Sequence, residues 1–295
     1  MSTYQFDGRV AIVTGAGRGL GRAYARLLAE RGARVVVNDL GGSIDGAGAD
    51  DSVAASVATE IGDVALADTN DVSTPEGATA LIDAALERFG RIDALINNAG
   101  IIRWATMPAI DADTVQRHLD VHTLGSFNTT RAAWPHMVEQ GYGRVVMTAS
   151  AGVFGLAGNL AYATAKGAVI GLARTLATEG AAWGIAVNVV APAAATRMAG
   201  EPDATLERVM APELVAPLVA YLAHESCTAN GEIYQAGAGR FARIFLATTE
   251  GFVASGTPTV EDVAEHWAAI NDETGYAVPS DLTAWSAAFT KHLNR

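Results

Sequence analysis

The sequence predicts an α/β protein: a doubly wound parallel sheet of about seven strands, followed by a helical C-terminal extension. Two observations carry this. Through the first 240 residues, short β-branched runs alternate with longer stretches of helical periodicity, and most of those runs are apolar on both faces, as a sheet covered on both sides requires. After "AGAGR" (236–240) the alternation stops and only helical patterns follow. Half of the 295 residues are apolar, enough for a sizeable core. The expected organisation is one domain over 1–240, with 241–295 as an extension packed on that same domain.

Strands are expected at Val10–Thr14, Arg34–Asn38, Val64–Ala67, Ala94–Asn97, Arg144–Thr148, Ala186–Ala191 and Glu232–Gln235. Helical patterns lie between them at Gly21–Glu30, Pro75–Phe89, Asp113–Gln140, Ala161–Ala181 and Pro212–Ala223. Strand–helix alternation of this kind gives parallel neighbours with helices on both faces. The stretch "LGGSIDGAGADDS" (40–52) is rich in glycine and aspartate and reads as a loop, more readily solvated than lying over a ligand. The tail holds "TVEDVAEHWAAI" (259–270), a helix with Thr259 or a neighbour as its cap, and "SDLTAWSAAFTKHL" (280–293), a second.

Charge and cysteine usage exclude several classes. Lys and Arg number 20 against 32 Asp and Glu, a net charge of -12. A nucleic-acid partner needs a basic face to displace counterions, and anionic lipid needs the same, so neither nucleic acid nor membrane is an expected partner. The one cysteine, Cys227, permits no internal disulfide and no thiolate metal cluster; it reads as a small buried hydrophobe rather than a nucleophile, and a reducing, cytoplasmic setting fits. His118, His136, His224, His266 and His292 show no ligand spacing with acids, so no metal is expected. "MSTYQFDGR" lacks a signal pattern, "HLNR" lacks a peroxisomal tripeptide, and no apolar run reaches the roughly 18 residues that cross a bilayer.

"TGAGRGLG" (14–21) follows the first apolar run directly. Glycines at 15, 19 and 21 allow a tight turn and close backbone approach, and the helix that begins there offers free N–H groups to a pyrophosphate. The spacing is G-x-x-x-G-x-G rather than the commoner G-x-G-x-x-G, and three glycines alone describe a structural turn equally well. Asp39 strengthens the nucleotide reading. It ends the second strand, 24 positions after Gly15, where an acid binds a ribose 2′-hydroxyl. Arg18 alone favours a 2′-phosphate, but a carboxylate aimed at the ribose repels one, so Asp39 selects NAD. Arg18 is left to neutralise Asp39 or to lie against the adenine.

"AYATAK" (161–166) places Tyr162 and Lys166 four residues apart on one helix face. A lysine ammonium beside a phenol lowers the phenol's pKa and makes Tyr162 an acid/base for an alcohol–ketone pair. Ser150 ends the preceding apolar strand, "RVVMTAS", where a hydroxyl can hold a substrate oxygen. A hydrolase built on Ser150 would lack a partnered base. Trp104, just after "NNAGIIR", is either core or a wall of the substrate cleft.

Together "TGAGRGLG", Asp39, "NDV" (70–72), "NNAG" (97–100), "MTAS", "YATAK" and "NVVAP" (188–192) resemble the short-chain dehydrogenases/reductases, in that family's order over roughly residues 8 to 200. The resemblance implies a Rossmann-type domain and assigns roles. Tyr162 is the acid/base, Ser150 orients the carbonyl, and Lys166 holds the nicotinamide ribose and tunes Tyr162. Gly15, Arg18, Gly19, Leu20 and Gly21 form the pyrophosphate turn. Asp71 and Val72 contact the adenine, Asn98, Ala99 and Gly100 line the adenosine side, and Pro192, Ala195 and Thr196 hold the carboxamide. "VVVNDLGG", "VHTLGSFNTTRAAWPHM", "APLVAYLAHESC" and "AGAGR" narrow the likeness to the (3R)-hydroxyacyl-CoA dehydrogenase part of peroxisomal multifunctional enzyme type 2 and its bacterial relatives; that enzyme carries a fused hydratase, which is not expected within these 295 residues. That narrower group shares His122 in place of the family's usual Asn, so a proton relay would pass through His122 or a water on its backbone, and His122 otherwise reads as a packing residue. Two further departures are Ser150, twelve residues before Tyr162 and one fewer than expected, and Ala193 in place of the glycine after Pro192. The resemblance implies a homodimer or homotetramer that interconverts a secondary alcohol and a ketone with NAD, with (3R)-3-hydroxyacyl-CoA and 3-oxoacyl-CoA ahead of a steroid, terpenoid or other bulky hydroxy compound. A nucleotide-bound regulator without catalysis is the alternative of a different class, opposed by the intact Tyr162 and Lys166.

Overall fold

A computed structural model describes residues 4–200 and 204–294. The chain forms two compact units, Met1–Arg243 and Ile244–Arg295. In the first, β1 (Val10–Thr14), α1 (Gly19–Glu30), β2 (Arg34–Asn38), α2 (Ser52–Ile61), β3 (Ala65–Asp68), α3 (Pro75–Phe89) and β4 (Ala94–Asn97) make one half. The other half holds α4 (Ala112–His118), α5 (Gly125–Gln140), β5 (Gly143–Thr148), α6 (Leu160–Gly180), β6 (Ile185–Pro192), α7 (Ala204–Val209), α8 (Ala216–Ala223) and β7 (Ile233–Gly237). An eighth strand, β8 (Arg240–Ile244), follows a two-residue turn at Ala238 and Gly239.

The sheet order is β3-β2-β1-β4-β5-β6-β7-β8, with every pairing from β3 to β7 parallel. The sheet therefore has eight strands rather than about seven. A two-residue link can join only antiparallel neighbours, and β8 extends the edge in that way. Its alternation was hidden because "RFARI" carries two arginines on an exposed edge. Ala11, Val13, Val35 and Val37 face a core closed by α1, α2 and α8, while α3 and α5 pack together and α6 lies along β5 and β6. The strand order reverses between β1 and β4, so a crevice opens beyond the carboxyl ends of those two strands.

Two stretches depart from the sequence reading. Ser52–Ile61 is helical, so the loop ends at 51. The expected helix over Asp113–Gln140 is three segments: α4, a π-helical turn over Leu119–Leu124, and α5. The wider turn contains His122 and rotates it into the protein, where it is 1% exposed. Periodicity cannot report one extra residue per turn, because the apolar pattern on either side stays helical.

In the second unit, α9 (Val260–Glu265) starts from a reciprocal capping box between Thr259 and Asp262. It is followed by α10 (Trp267–Ile270) and α11 (Leu282–Phe289), the latter capped by Asp281. None of the described residues of this unit is buried. Among the described residues, no helix is long and apolar enough to cross a membrane.

Candidate active site

At the switch point, Gly15 (φ +62°) and Gly19 (φ +51°) adopt backbone angles that favour glycine. A Cβ at Gly15 would stand 2.8 Å from Ala99 Cα, so the turn after β1 rests directly on the chain after β4. Asn98 fastens the two: its Nδ2 donates to the carbonyls of Thr14 (3.0 Å) and Gly15 (3.1 Å). The Thr14 hydroxyl accepts from the N–H groups of Asn98 and Ala99. α1 then begins without a side-chain cap and with no acid in its first turn, which leaves its N–H groups and positive dipole end for an anion. The backbone therefore fits the pyrophosphate of a dinucleotide.

Asp39 braces this turn. Its two oxygens accept from Gly17 N–H (2.9 Å) and Gly41 N–H (2.7 Å). Arg18 does not pair with it; Arg18 Nη1 donates to the Gly42 carbonyl (3.3 Å), across the loop that follows β2. That loop is fixed rather than merely solvated. Ile102 N–H donates to the Ile44 carbonyl (2.7 Å), and Arg117 Nη2 reaches the Gly46 carbonyl (3.4 Å). Residues 40, 42, 43, 44 and 46 consequently wall the nucleotide end of the crevice. Composition alone could not show this, because glycine and aspartate are equally at home in an open loop.

One cleft of about 420 Å³ runs from this turn to Tyr162. Its walls include Gly15, Arg18, Gly19, Leu20, Asp39, Asp71, Val72, Asn98, Ala99 and Gly100 at one end. His122, Ser150, Tyr162, Lys166, Pro192 and Thr196 stand toward the other. Gly21 and Ala195 do not reach the wall. A Cβ at Gly21 would overlap the Gly15 carbonyl, so that glycine serves close packing of α1 on the turn. Ala195 donates its N–H to the Met210 carbonyl (2.7 Å), and its neighbour Ala194 lines the cleft instead. The sequence reading also passed over Arg117, Asn159 and Arg197, which line the cleft without belonging to a recognisable pattern. Trp104 is on the wall, 53% exposed.

Ser150 lies beyond the end of β5 and caps the turn of 3-10 helix that follows, accepting from Gly152 N–H (3.0 Å). The short spacing to Tyr162 does not take it out of the site, since Ser150 lines the cleft with Tyr162 and its hydroxyl acts to lower the phenol's pKa. Lys166 is 3% exposed, and its Nζ donates to the Thr148 carbonyl (2.5 Å) while standing 5.6 Å from the Tyr162 ring centre. The expected lowering of the Tyr162 pKa does not hold in this state. Burial pushes Tyr162 above its ordinary value, and the Ser150 hydrogen bond opposes that only in part. Burial also lowers Lys166 to about 7, so near neutrality it is only partly charged and cannot act as the full cation that the spacing suggested.

His122 packs edge-on against Tyr162, ring centres 5.2 Å apart, and beneath Gly100. Its Nε2 meets the Ile101 carbonyl at 2.8 Å and the Ile101 N–H at 3.2 Å, while Nδ1 has no partner. Burial, with Lys166 nearby, holds its pKa well below the usual value, so the ring is neutral. The shorter contact favours an Nε2–H donated to the Ile101 carbonyl, which leaves Nδ1 as an acceptor.

Comparison with known proteins gives this geometry its family. Residues 9–206 match the model of the short chain dehydrogenase family. A short-chain type dehydrogenase/reductase of Mycobacterium tuberculosis is 45% identical over 273 residues, covering 90% of this chain and 95% of that one. Full-length peroxisomal multifunctional enzyme type 2 from Drosophila melanogaster superposes with a TM-score of 0.82 at 36% identity, covering 98% of this chain and 50% of that one. The chain thus spans about half the length of that multifunctional relative. A 3-ketoacyl-(acyl-carrier-protein) reductase from Brucella melitensis, solved with NADH, superposes with a TM-score of 0.70 at 29% identity over 78% of this chain and 97% of that one. With the glycine turn, the Ser150–Tyr162–Lys166 cluster and the parallel sheet already in place, these matches establish that the chain belongs to the short-chain dehydrogenase family, the oxidoreductases of CH–OH groups.

Proposed function

We propose that this chain is an NAD-dependent dehydrogenase that interconverts a (3R)-3-hydroxyacyl-CoA and the 3-oxoacyl-CoA. The observation that carries the reading is one continuous cleft with an uncapped helix start and Asp39 at one end, and Ser150, Tyr162 and Lys166 at the other. The relatives named peroxisomal multifunctional enzyme type 2 and peroxisomal hydratase-dehydrogenase-epimerase support the substrate class, and the neighbour solved with NADH supports the cofactor. Asp39 supports NAD over NADP, because its carboxylate stands on the cleft wall just after β2, where it accepts from a ribose 2′-hydroxyl and repels a 2′-phosphate.

Bound NAD supplies the nicotinamide carbon that takes or returns a hydride. The protein's own residues do the rest. Ser150 fixes the substrate oxygen beside the Tyr162 hydroxyl. In the reducing direction Tyr162 hands its proton to the carbonyl oxygen, and burial keeps the phenol in the form that can do so. In the oxidising direction it must first be a phenolate, which the ammonium form of Lys166 stabilises. His122, neutral and edge-on to Tyr162, stands in the relay position with a buried, unpaired Nδ1 as its acceptor. Holding the two reactants together accounts for much of the acceleration.

Large apolar side chains left exposed on the second unit, among them Trp267, Leu282 and Phe289, support self-association, as a dimer or tetramer. The single, buried Cys227 supports a reducing cytoplasmic setting. The decisive measurement is NADH formation from (3R)-hydroxyacyl-CoA by the protein and by Tyr162→Phe. The variant should lose at least about 100-fold in kcat and keep its NAD affinity by fluorescence titration. Undiminished turnover by Tyr162→Phe would overturn the assignment.

A further inference from the structure

Arg117 is half-buried in the last turn of α4 and lines the nucleotide end of the cleft. An arginine in the last turn of a helix ordinarily offsets the free carbonyl groups there. No end is free here, because α4 runs into the π-helical turn and then into α5. The chain carries 32 acids, yet among the described residues no carboxylate forms an ion pair with Arg117. Its acceptors are two neutral oxygens: Nη1 donates to Ser73 Oγ and Nη2 to the Gly46 carbonyl, both at 3.4 Å. Bonds of that length are weak, so a partly desolvated cation is left with little to offset the cost.

The geometry narrows what it lacks. The two Nη groups reach Ser73 and Gly46, and Nε stands 3.6 Å from where a Cβ on Gly46 would lie. The edge of the guanidinium, which carries every donor, is thus turned toward protein. Its flat face is what remains for the cleft, and that face binds the face of an aromatic ring. Among the described residues no aromatic side chain lies beneath it. Ser73 follows β3, and β3 stands two strands from β1. Two strand spacings are about 10 Å. A dinucleotide with its pyrophosphate on the turn after β1 and its ribose at Asp39 after β2 carries its base to that point. Val72 and Val121 line the same wall and give the base an apolar seat.

We propose that Arg117 is an adenine-binding residue: the face of its guanidinium stacks on the purine of NAD, while its edge holds the Gly46 loop and Ser73 where they frame the ring. One side chain thereby joins walls supplied by three elements, and it acts on nucleotide affinity rather than on the proton or hydride step. This rests on the dinucleotide reading of the cleft and deepens it. CoA carries an adenine too, so the test has to separate the two nucleotides.

NADH is titrated by fluorescence and ADP-ribose by calorimetry, against the parent chain, Arg117→Met and Arg117→Lys. Methionine removes both face and donors. Lysine keeps a cation that can reach the Gly46 carbonyl but has no flat face. Both variants should bind NADH and ADP-ribose about tenfold more weakly, by one common factor. In the reduction of acetoacetyl-CoA the loss should fall on KM for NADH and not on kcat or on KM for the ester. The melting temperature without nucleotide should not drop. Parental affinity in Arg117→Met would overturn the contact. Parental affinity restored by Arg117→Lys would mean that charge and the loop bonds suffice, and would overturn the stacked face. A rise confined to KM for acetoacetyl-CoA would put Arg117 on the substrate's nucleotide and overturn its assignment to NAD. The titrations need no substrate, so they decide the matter whatever the substrate is. A parent chain that binds neither NADH nor ADP-ribose would overturn the dinucleotide reading, and this inference with it.

Discussion

Lys166 and Tyr162 stand four residues apart on α6, and the spacing alone suggests a cation that activates a phenol. Both side chains are buried, and burial works against the charged form of each. Lys166 therefore carries a testable signature. Its pKa is about 7 in the folded protein against an ordinary 10.5. Between those values the unfolded chain holds a proton that the folded chain does not, so stability must rise with pH across that window. Below about 7 both states are protonated and the cost of burying the charge is fully present. Nucleotide-free protein should thus resist urea better at pH 9.5 than at pH 6.5, and Lys166→Met should lack that increment while being more stable at the lower pH. A parent profile that matches the variant's at both pH values would refute this. His122 is the companion case: its residue type was legible, but its neutrality and its open Nδ1 were not, because both follow from Ile101 and Tyr162 being folded around it.

At the level of elements, strands and helix starts were readable where local chemistry is unambiguous. The β1 run, the Pro75–Phe89 helix and the Thr259 cap fall where sequence places them. The loop over residues 40–51 was readable only as a loop. Its role as a cleft wall comes from three long-range contacts, with Arg18, Ile102 and Arg117. Gly46 is the point to test, since it has φ +85° and a Cβ there would lie 2.9 Å from Ile101 Cγ2. Gly46→Val should push the loop off Ile101 and raise KM for NAD about tenfold, the equivalent of roughly 1.4 kcal/mol, with kcat at saturating NAD nearly unchanged. An unaltered KM would show that the loop does not contribute to the nucleotide site. The π-helical turn at Leu119–Leu124 belongs to the same lesson: the chain needs an extra residue to aim His122 inward, and neighbouring apolar spacing does not register it.

For the whole molecule, the two units contrast in how they are held. The first buries apolar residues from both faces of its sheet, whereas no described residue of the second is buried. Helices of eight residues or fewer without a core do not persist in water. A peptide of residues 244–295 should therefore show little helical circular dichroism at 25 °C and no cooperative melting; a sharp transition would contradict this. The sequence by itself determined the parallel α/β order, because that rests on local patterning, and it offered the glycine turn, Asp39 and the Ser150, Tyr162 and Lys166 set through their order in a family resemblance, since neither three glycines nor one spacing carries a role alone. Only the tertiary structure decided the eighth strand, the loop that walls the cleft, the place of Arg117 on that wall and the protonation of Tyr162, Lys166 and His122. Those depend on burial and on contacts between residues far apart in the chain, and neither desolvation nor a long-range hydrogen bond is written in any short stretch of sequence.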